Sequence, residues 1–256
     1  MNIFLKNKLA ELLRQENTGR KILLKEINTK YRKDDKYIRY LKEKFGIEVT
    51  AFDEKEYPAQ LKQIDDFPVL LFTKGDKNLL TMNILTIVGT RQMTIYGSKV
   101  IQKLLSECKD TCIASGLASG ADGKVHTTCL ENNIPTIAVT AGGFFKGFPR
   151  SNLSLFNNIC RKGLVISEFP PGRKIIKGMF PMRNRILAGM SSAVFVIESD
   201  IKGGSMITAD LALEYGREVF AVPGSIFSKQ SAGCNYLISQ GAQIITDTVI
   251  NDCIHI

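Results

Sequence analysis

Ile84-Leu85-Thr86-Ile87-Val88-Gly89-Thr90-Arg91 decides the fold. A run of apolar and β-branched residues stops at a glycine, which is followed by a hydroxyl and a guanidinium. An apolar run without polar alternation predicts a strand covered on both faces, and strands of that kind belong to parallel sheets. The pattern recurs downstream. Strands are predicted at 84–88, 111–115, 136–140, 164–167, 193–198, 218–222 and 243–246, with helices between them at 98–109, 122–132, 151–161, 183–191, 208–215 and 235–240. Such alternation implies right-handed crossovers and an α/β fold: an extended Rossmann-like, doubly wound and mostly parallel sheet.

Upstream the period differs. Residues 1–46 read as short amphipathic helices, with Leu5, Leu9, Leu12 and Leu13, then Ile38, Leu41 and Phe45, at helical spacing and Gly19 and Gly46 as stops. They predict a small N-terminal helical cap ahead of an extended Rossmann-like domain over 47–256. The stretch 52–77, with Tyr57-Pro58 and Phe67-Pro68, is expected to wrap along the sheet as extended segments.

Composition narrows the class. An apolar share of 44% and a charged share of 23% describe a globular chain. No apolar run approaches the roughly 18 residues of a membrane span, and Met1 to Lys8 lack the apolar core of a signal peptide. The six cysteines, at 108, 112, 129, 160, 234 and 253, form no C-x-x-C pair, and His126 and His255 are too few for a histidine metal site. A reduced, cytoplasmic location with no metal and no cofactor is expected. The net charge is +9, and residues 144–186 carry nine Lys/Arg (Lys146, Arg150, Arg161, Lys162, Arg173, Lys174, Lys177, Arg183, Arg185) against Glu168 alone. Positive charge concentrated on loops beside a helix start suits phosphate.

In a doubly wound sheet every strand-to-helix loop leaves at the carboxyl edge, where ligands bind. Four loops there stand out: Gly89-Thr90-Arg91, the stretch from Ser115 to Asp122, the stretch from Ala141 to Arg150, and the stretch from Glu168 to Arg185. In the first, glycine admits a ligand to the backbone while Thr90 and Arg91 supply donors matched to phosphate. In the second, Gly116 and Gly120 lead into a helix on which Asp122 either caps amides or meets the ligand. The third interleaves Phe144, Phe145 and Phe148 with Lys146 and Arg150, a stacking surface beside cations that suits single-stranded nucleic acid, with at least one ring expected in the core. In Phe180-Pro181-Met182-Arg183-Asn184-Arg185, the two arginines either reach the ligand or brace the loop. A further glycine turn, Gly203-Gly204-Ser205, either holds an anion on its amides or permits tight packing.

Enzyme signatures fail one by one. Gly123-Lys124 ends like a phosphate-binding loop, but Ala118 stands at its first glycine and Val125 at its hydroxyl. Tyr96 and Lys99 are one residue short of a short-chain dehydrogenase pair, and Gly189-Met190-Ser191-Ser192-Ala193 misses the last glycine of a nucleophile elbow. His126 reads as a packed helix residue rather than a base, and no carboxylate pair suggests acid–base work.

Taken together the motifs resemble the DNA-processing protein A (DprA/Smf) family. The similar stretches run in order from Tyr57-Pro58 with Leu61, through Val88-Gly89-Thr90-Arg91 with Tyr96-Gly97, to Ser115-Gly116-Leu117-Ala118 with Gly120-Ala121-Asp122 and His126. They continue through Gly143, Phe148-Pro149-Arg150 with Asn152, Ile166-Ser167-Glu168, and Phe180 to Ser191. Glu198, Gly204-Ser205 with Thr208-Ala209, and Gly233 with Asn235 complete a likeness over about 55–245. The resemblance implies a homodimer that binds single-stranded DNA without turnover and loads RecA recombinase onto incoming DNA in natural transformation. It implies phosphate contacts from Arg91 and Arg150 and a pocket floor of Gly89, Thr90, Gly116 and Gly120. Ser115, Asp122, Lys146, Phe148, Asn152, Arg183, Asn184, Arg185, Gly204 and Ser205 are the remaining candidate DNA contacts. Thr90, Arg150 with Phe148, and Ala121 depart mildly from the family pattern. A C-terminal winged-helix-like domain and the glycine turns of a helix-hairpin-helix are not recognisable, and Leu237 and Ile238 are candidates for the dimer surface. The alternative is a nucleotide phosphoribohydrolase of the lysine-decarboxylase-like family, although residues 203–210 lack its proline, third glycine and glutamate.

Overall fold

A computed structural model of the chain describes residues 36–106, 108–145, 148–176, 178–246 and 250. Helix α1 (Lys36–Phe45) ends at Gly46, whose φ of +62° suits glycine; the Gly46 amide donates to the Lys42 carbonyl and that of Ile47 to Leu41, a Schellman-type stop. Strands β1 (Glu48–Ala51), β2 (Leu70–Gly75) and β3 (Ile84–Val88) follow, then α2 (Ile95–Leu105), β4 (Cys112–Ser115), α3 (Ala121–Glu131), β5 (Thr136–Val139), α4 (Leu153–Lys162) and β6 (Leu164–Ser167). Helix α5 (Met179–Met190), β7 (Ala193–Val196), α6 (Gly204–Glu214), β8 (Glu218–Ala221), α7 (Ala232–Ser239) and β9 (Gln243–Ile244) complete the described chain.

All nine strands join one sheet in the order β1-β2-β6-β5-β4-β3-β7-β8-β9. From β6 to β9 every neighbouring pair is parallel, whereas β2 pairs antiparallel with β6, and β1 with β2. The chain walks outward from β3 to β6, then returns through α5 to lay β7 on the other flank of β3. Strand order therefore reverses between β3 and β7.

Alternation along the strands builds two helical layers. Ile84 and Val88 of β3 pack with Ile186 and Leu187 of α5 and Ala209 of α6, while Leu85 and Ile87 pack with Ile101 of α2 and Val125 of α3. Leu70 and Phe72 of β2 meet Ile38 and Leu41 of α1 and Ile159 of α4. Thr86 is buried on the α5 side, where its hydroxyl lies 2.6 Å from Ser191 Oγ and 3.1 Å from the Leu187 carbonyl. Those bonds offset the cost of a polar group under a helix.

The seven predicted strands all form, 84–88 and 164–167 with the predicted bounds and the others with an end shifted by one or two residues. Five of the six predicted helices start earlier than predicted, two of them by four residues. Helix α5 begins at Met179 rather than 183, because Pro181 falls in its first turn, where no amide is needed, and α6 begins at Gly204 rather than 208. The stretch 52–77 does more than wrap: residues 70–75 extend the sheet as β2. Leu5, Leu9, Leu12, Leu13 and Gly19 lie outside the described residues. Leu237 sits in the core and Ile238 is half-buried against it, so α7 presents Tyr236 outward instead.

His126 of α3 is fully buried, its Nδ1 2.8 Å from Thr136 Oγ1, which itself donates to the Ile113 carbonyl. This is a packed histidine, as expected. Burial pushes its pKa down to about 3, outweighing the Ser115 backbone carbonyl, which favours the protonated ring. The unfolded chain takes up a proton near pH 6.5 that the folded chain refuses, so stability falls as pH drops below that value. Acidification from pH 7 to pH 5 is expected to cost about 2 kcal/mol from this residue alone. Denaturant titrations at both pH values check it, and His126→Gln should remove that share of the loss.

Candidate functional site

The reversal of strand order between β3 and β7 opens a crevice at the carboxyl edge of the sheet, the place where doubly wound folds bind ligands. A cavity of about 420 Å³ occupies it. Its walls come from the exit of β3 (Gly89, Thr90, Arg91), the start of α3 (Asp122), one side of α5 (Phe180, Arg183, Asn184) and the turn into α6 (Gly203, Gly204, Ser205).

The β3 loop is held rigidly. The Thr90 amide donates to the Glu198 carbonyl at 2.6 Å, and the Glu198 carboxylate accepts from both the amide (2.8 Å) and hydroxyl (2.6 Å) of Thr94. Between these two ends Arg91 and Gln92 stand exposed, with the Arg91 guanidinium 5.4 Å from the Phe180 ring centre. The Thr90 hydroxyl accepts from the Gln92 amide at 3.1 Å.

Arg183 is the buried counterpart, 7% exposed. Its Nη1 donates to the Val139 carbonyl at 3.3 Å and lies 3.9 Å from Asp122 Oδ2, while its Nε has no protein partner. Asp122 Oδ2 accepts from the Ala118 amide. Burial raises the Asp122 pKa against the pull of Arg183, and burial also lowers that of Arg183, a direction that Arg91 reinforces by repulsion. Two guanidinium groups thus face one cavity with incomplete compensation. An anion between them relieves the repulsion, and the amides at the start of α6 point the same way.

The candidate residues divide into cavity wall and support. Gly89, Thr90, Arg91, Asp122, Arg183, Asn184, Gly204 and Ser205 line the cavity. Gly116 and Gly120 do not: a Cβ on Gly116 would strike the Arg183 guanidinium, and one on Gly120 the carbonyls of Thr90 and Arg91 at 2.5 Å. Their openness serves packing within the protein rather than approach of a ligand. Ser115 donates to the Ile87 carbonyl inside the sheet. Asn152 donates to the carbonyls of Leu117 and Ala118, which ties the turn carrying exposed Arg150 to the cavity rim. Asn184 donates to the Gly204 carbonyl, and Ser205 to Ser199 Oγ. Lys146 lies outside the described residues.

Three expectations need correction. Arg185 is buried in ion pairs with Glu168 (2.5 Å) and Asp66 (3.2 Å) and braces the loop after β6. Phe148 stacks on Phe156 at 4.3 Å and Phe144 is buried, so neither offers a free ring; Phe145 is half-exposed against Phe45. The basic stretch is not one patch either. Arg161 and Lys162 end α4, whose last turn leads straight into β6 at the opposite, amino edge of the sheet. Conversely, Ser199, Asp200 and Thr208 line the cavity without having been singled out as ligand contacts; their signal was position after a central strand.

Comparison with known proteins agrees with this fold. The sequence profile of the family described as DNA recombination-mediator protein A matches residues 48–255. DNA processing protein DprA of Bacillus subtilis is 47% identical over 203 residues, which cover 78% of this chain and 68% of that protein. The X-ray structure of DNA processing protein A from Streptococcus pneumoniae superposes with a TM-score of 0.78 at 34% identity, over 98% of this chain and 92% of that one. The Helicobacter pylori DNA processing protein A, solved for its single-stranded DNA binding mode, superposes with a TM-score of 0.71 at 30% identity, over 80% and 93%. Profile, sequence and fold converge: the chain belongs to the DNA recombination-mediator protein A (DprA/Smf) family.

Proposed function

We propose that the chain binds single-stranded DNA across the carboxyl edge of its sheet, with one phosphate in the β3/β7 cavity, and does so without catalytic turnover. The observation that carries this is the convergence of Arg91 and Arg183, with the start of α6, on a single cavity at the topological switch point. The relative from Helicobacter pylori, a single-stranded DNA binder, supports the same reading. In this reading Arg91 and Arg150 are the outer phosphate contacts, and Thr90, Asn184, Gly204 and Ser205 surround the buried end. Gly116, Gly120, Ser115, Asn152 and Arg185 act through the shape of the loops. Charge drives association, so affinity falls steeply with salt and depends little on sequence.

The wider role follows the family resemblance: a cytoplasmic homodimer that loads RecA recombinase onto incoming strands during natural transformation. In this reading residues 47–256 are the DNA-binding unit. No helix among the described residues is long and apolar enough to cross a membrane.

Arg91→Ala and Arg150→Ala are each expected to weaken binding of a short oligonucleotide and to reduce the salt slope by about one, with a smaller loss for double-stranded DNA of equal length. Fluorescence anisotropy across a salt series reads both; unchanged affinity in two folded variants removes the assignment. Gly116→Ala pushes the Arg183 guanidinium off its seat, so affinity should fall together with about 1–3 kcal/mol of stability. Incubation with AMP should release no free base, and release would favour the phosphoribohydrolase instead.

A further inference from the structure

Beyond the cavity, the exit of β8 carries the most exposed large apolar side chains among the described residues. Phe227 is 94% exposed and Ile226 83%. Both lie in the loop 223–230, which is firmly built: Gly224 exchanges two hydrogen bonds with the Asn235 side chain, and Ser225 accepts from the amides of Phe227 and Ser228. The loop is also locked to the cavity wall. The Gln230 carbonyl accepts from the Ser199 amide at 2.7 Å, and Lys229 pairs with Asp200 at 3.1 Å. Ser199 and Asp200 themselves line the cavity. An apolar tip on a rigid loop has a hydration cost that only an occupant relieves.

We infer that Phe227 is a base-stacking platform for the single strand whose phosphate occupies the cavity, so that the strand leaves the cavity across β7 and β8. The inference rests on the proposed function and adds a direction and a residue to it. Three observations favour a nucleobase as the occupant. The loop is continuous with the cavity wall, it carries the exposed cation of Lys229 two residues from Phe227, and an aromatic ring beside a cation recognises single strands without sequence preference. In the loop after β5, Phe144 and Phe148 are spent in packing and Phe145 leans on Phe45 at half exposure, so Phe227 offers the freer ring face. The loops after β5, β4, β3, β7 and β8 follow one another in sheet order, a path on the order of 19 Å across four strand spacings.

The chain contains no tryptophan, so Phe227→Trp places a single indole at the tip. Titration of that variant with oligo-dT at low salt should quench the indole, with the same midpoint as anisotropy of labelled oligo-dT. Phe227→Ala should weaken binding roughly tenfold, and Phe227→Tyr should restore it. If the wild-type chain binds oligo-dT while the indole stays silent and Phe227→Ala binds equally well, the platform is overturned and the cavity reading stands. If the wild-type chain binds no oligo-dT, the cavity reading itself fails. If the indole emission shifts with protein concentration alone, a second copy covers the tip and the inference is overturned.

Discussion

A desolvated guanidinium organises the site. Arg183 projects from the crossover helix α5 into the gap between β4 and β5, and each neighbouring choice follows from seating it there. Gly116 leaves room for its plane, Val139 lends a carbonyl, and Asp122 supplies a counter-charge that is too far away to neutralise it fully. A buried cation with incomplete pairing is costly to fold. The surrounding helices tolerate that cost because α5 is buried from Arg183 to Met190: Ile186 and Leu187 pack against β3 and α6 in the largest of the clusters. The cationic character of the cavity is therefore a property of the interior and depends little on surface lysines.

Opposing that buried group is a loop immobilised by a carboxylate. Glu198 follows β7, yet it closes hydrogen bonds on both sides of the loop that follows β3, and a Cβ on Gly97 would meet its Oε2 at 2.5 Å. The glycines at 89, 97, 116 and 120 thus permit close approach between protein segments. Phosphate-loop glycines are usually read as admitting a ligand; here Thr90, Arg91 and the start of α6 line the cavity.

Much of the architecture was legible because burial on both faces writes itself into the strands as unbroken apolar runs, as in residues 84–88 and 193–196. Strand β1 has only four residues and β2 lies among prolines, so pairing with β6 decided them where periodicity could not. The switch-point glycines and Arg91 were legible for the same reason, since they follow a readable strand directly. Arg183 and Arg185 were harder. Their charge suggested a free patch, whereas their partners Asp122, Glu168 and Asp66 become neighbours only through the crossover. Phe148 was likewise settled by Phe156 on the next helix, a contact that depends on how α4 rolls onto the sheet.

The clamp between Thr94 and Glu198 joins residues 104 positions apart. No contiguous fragment of modest length contains both, and everything from β4 to α5 must be threaded between them first. Contacts of such long range form late, after the loop-closure entropy of the intervening chain has been overcome. A growing polypeptide on the ribosome consequently acquires this clamp only when β7 has emerged, so the loop after β3 stays unfastened until most of the sheet has been made.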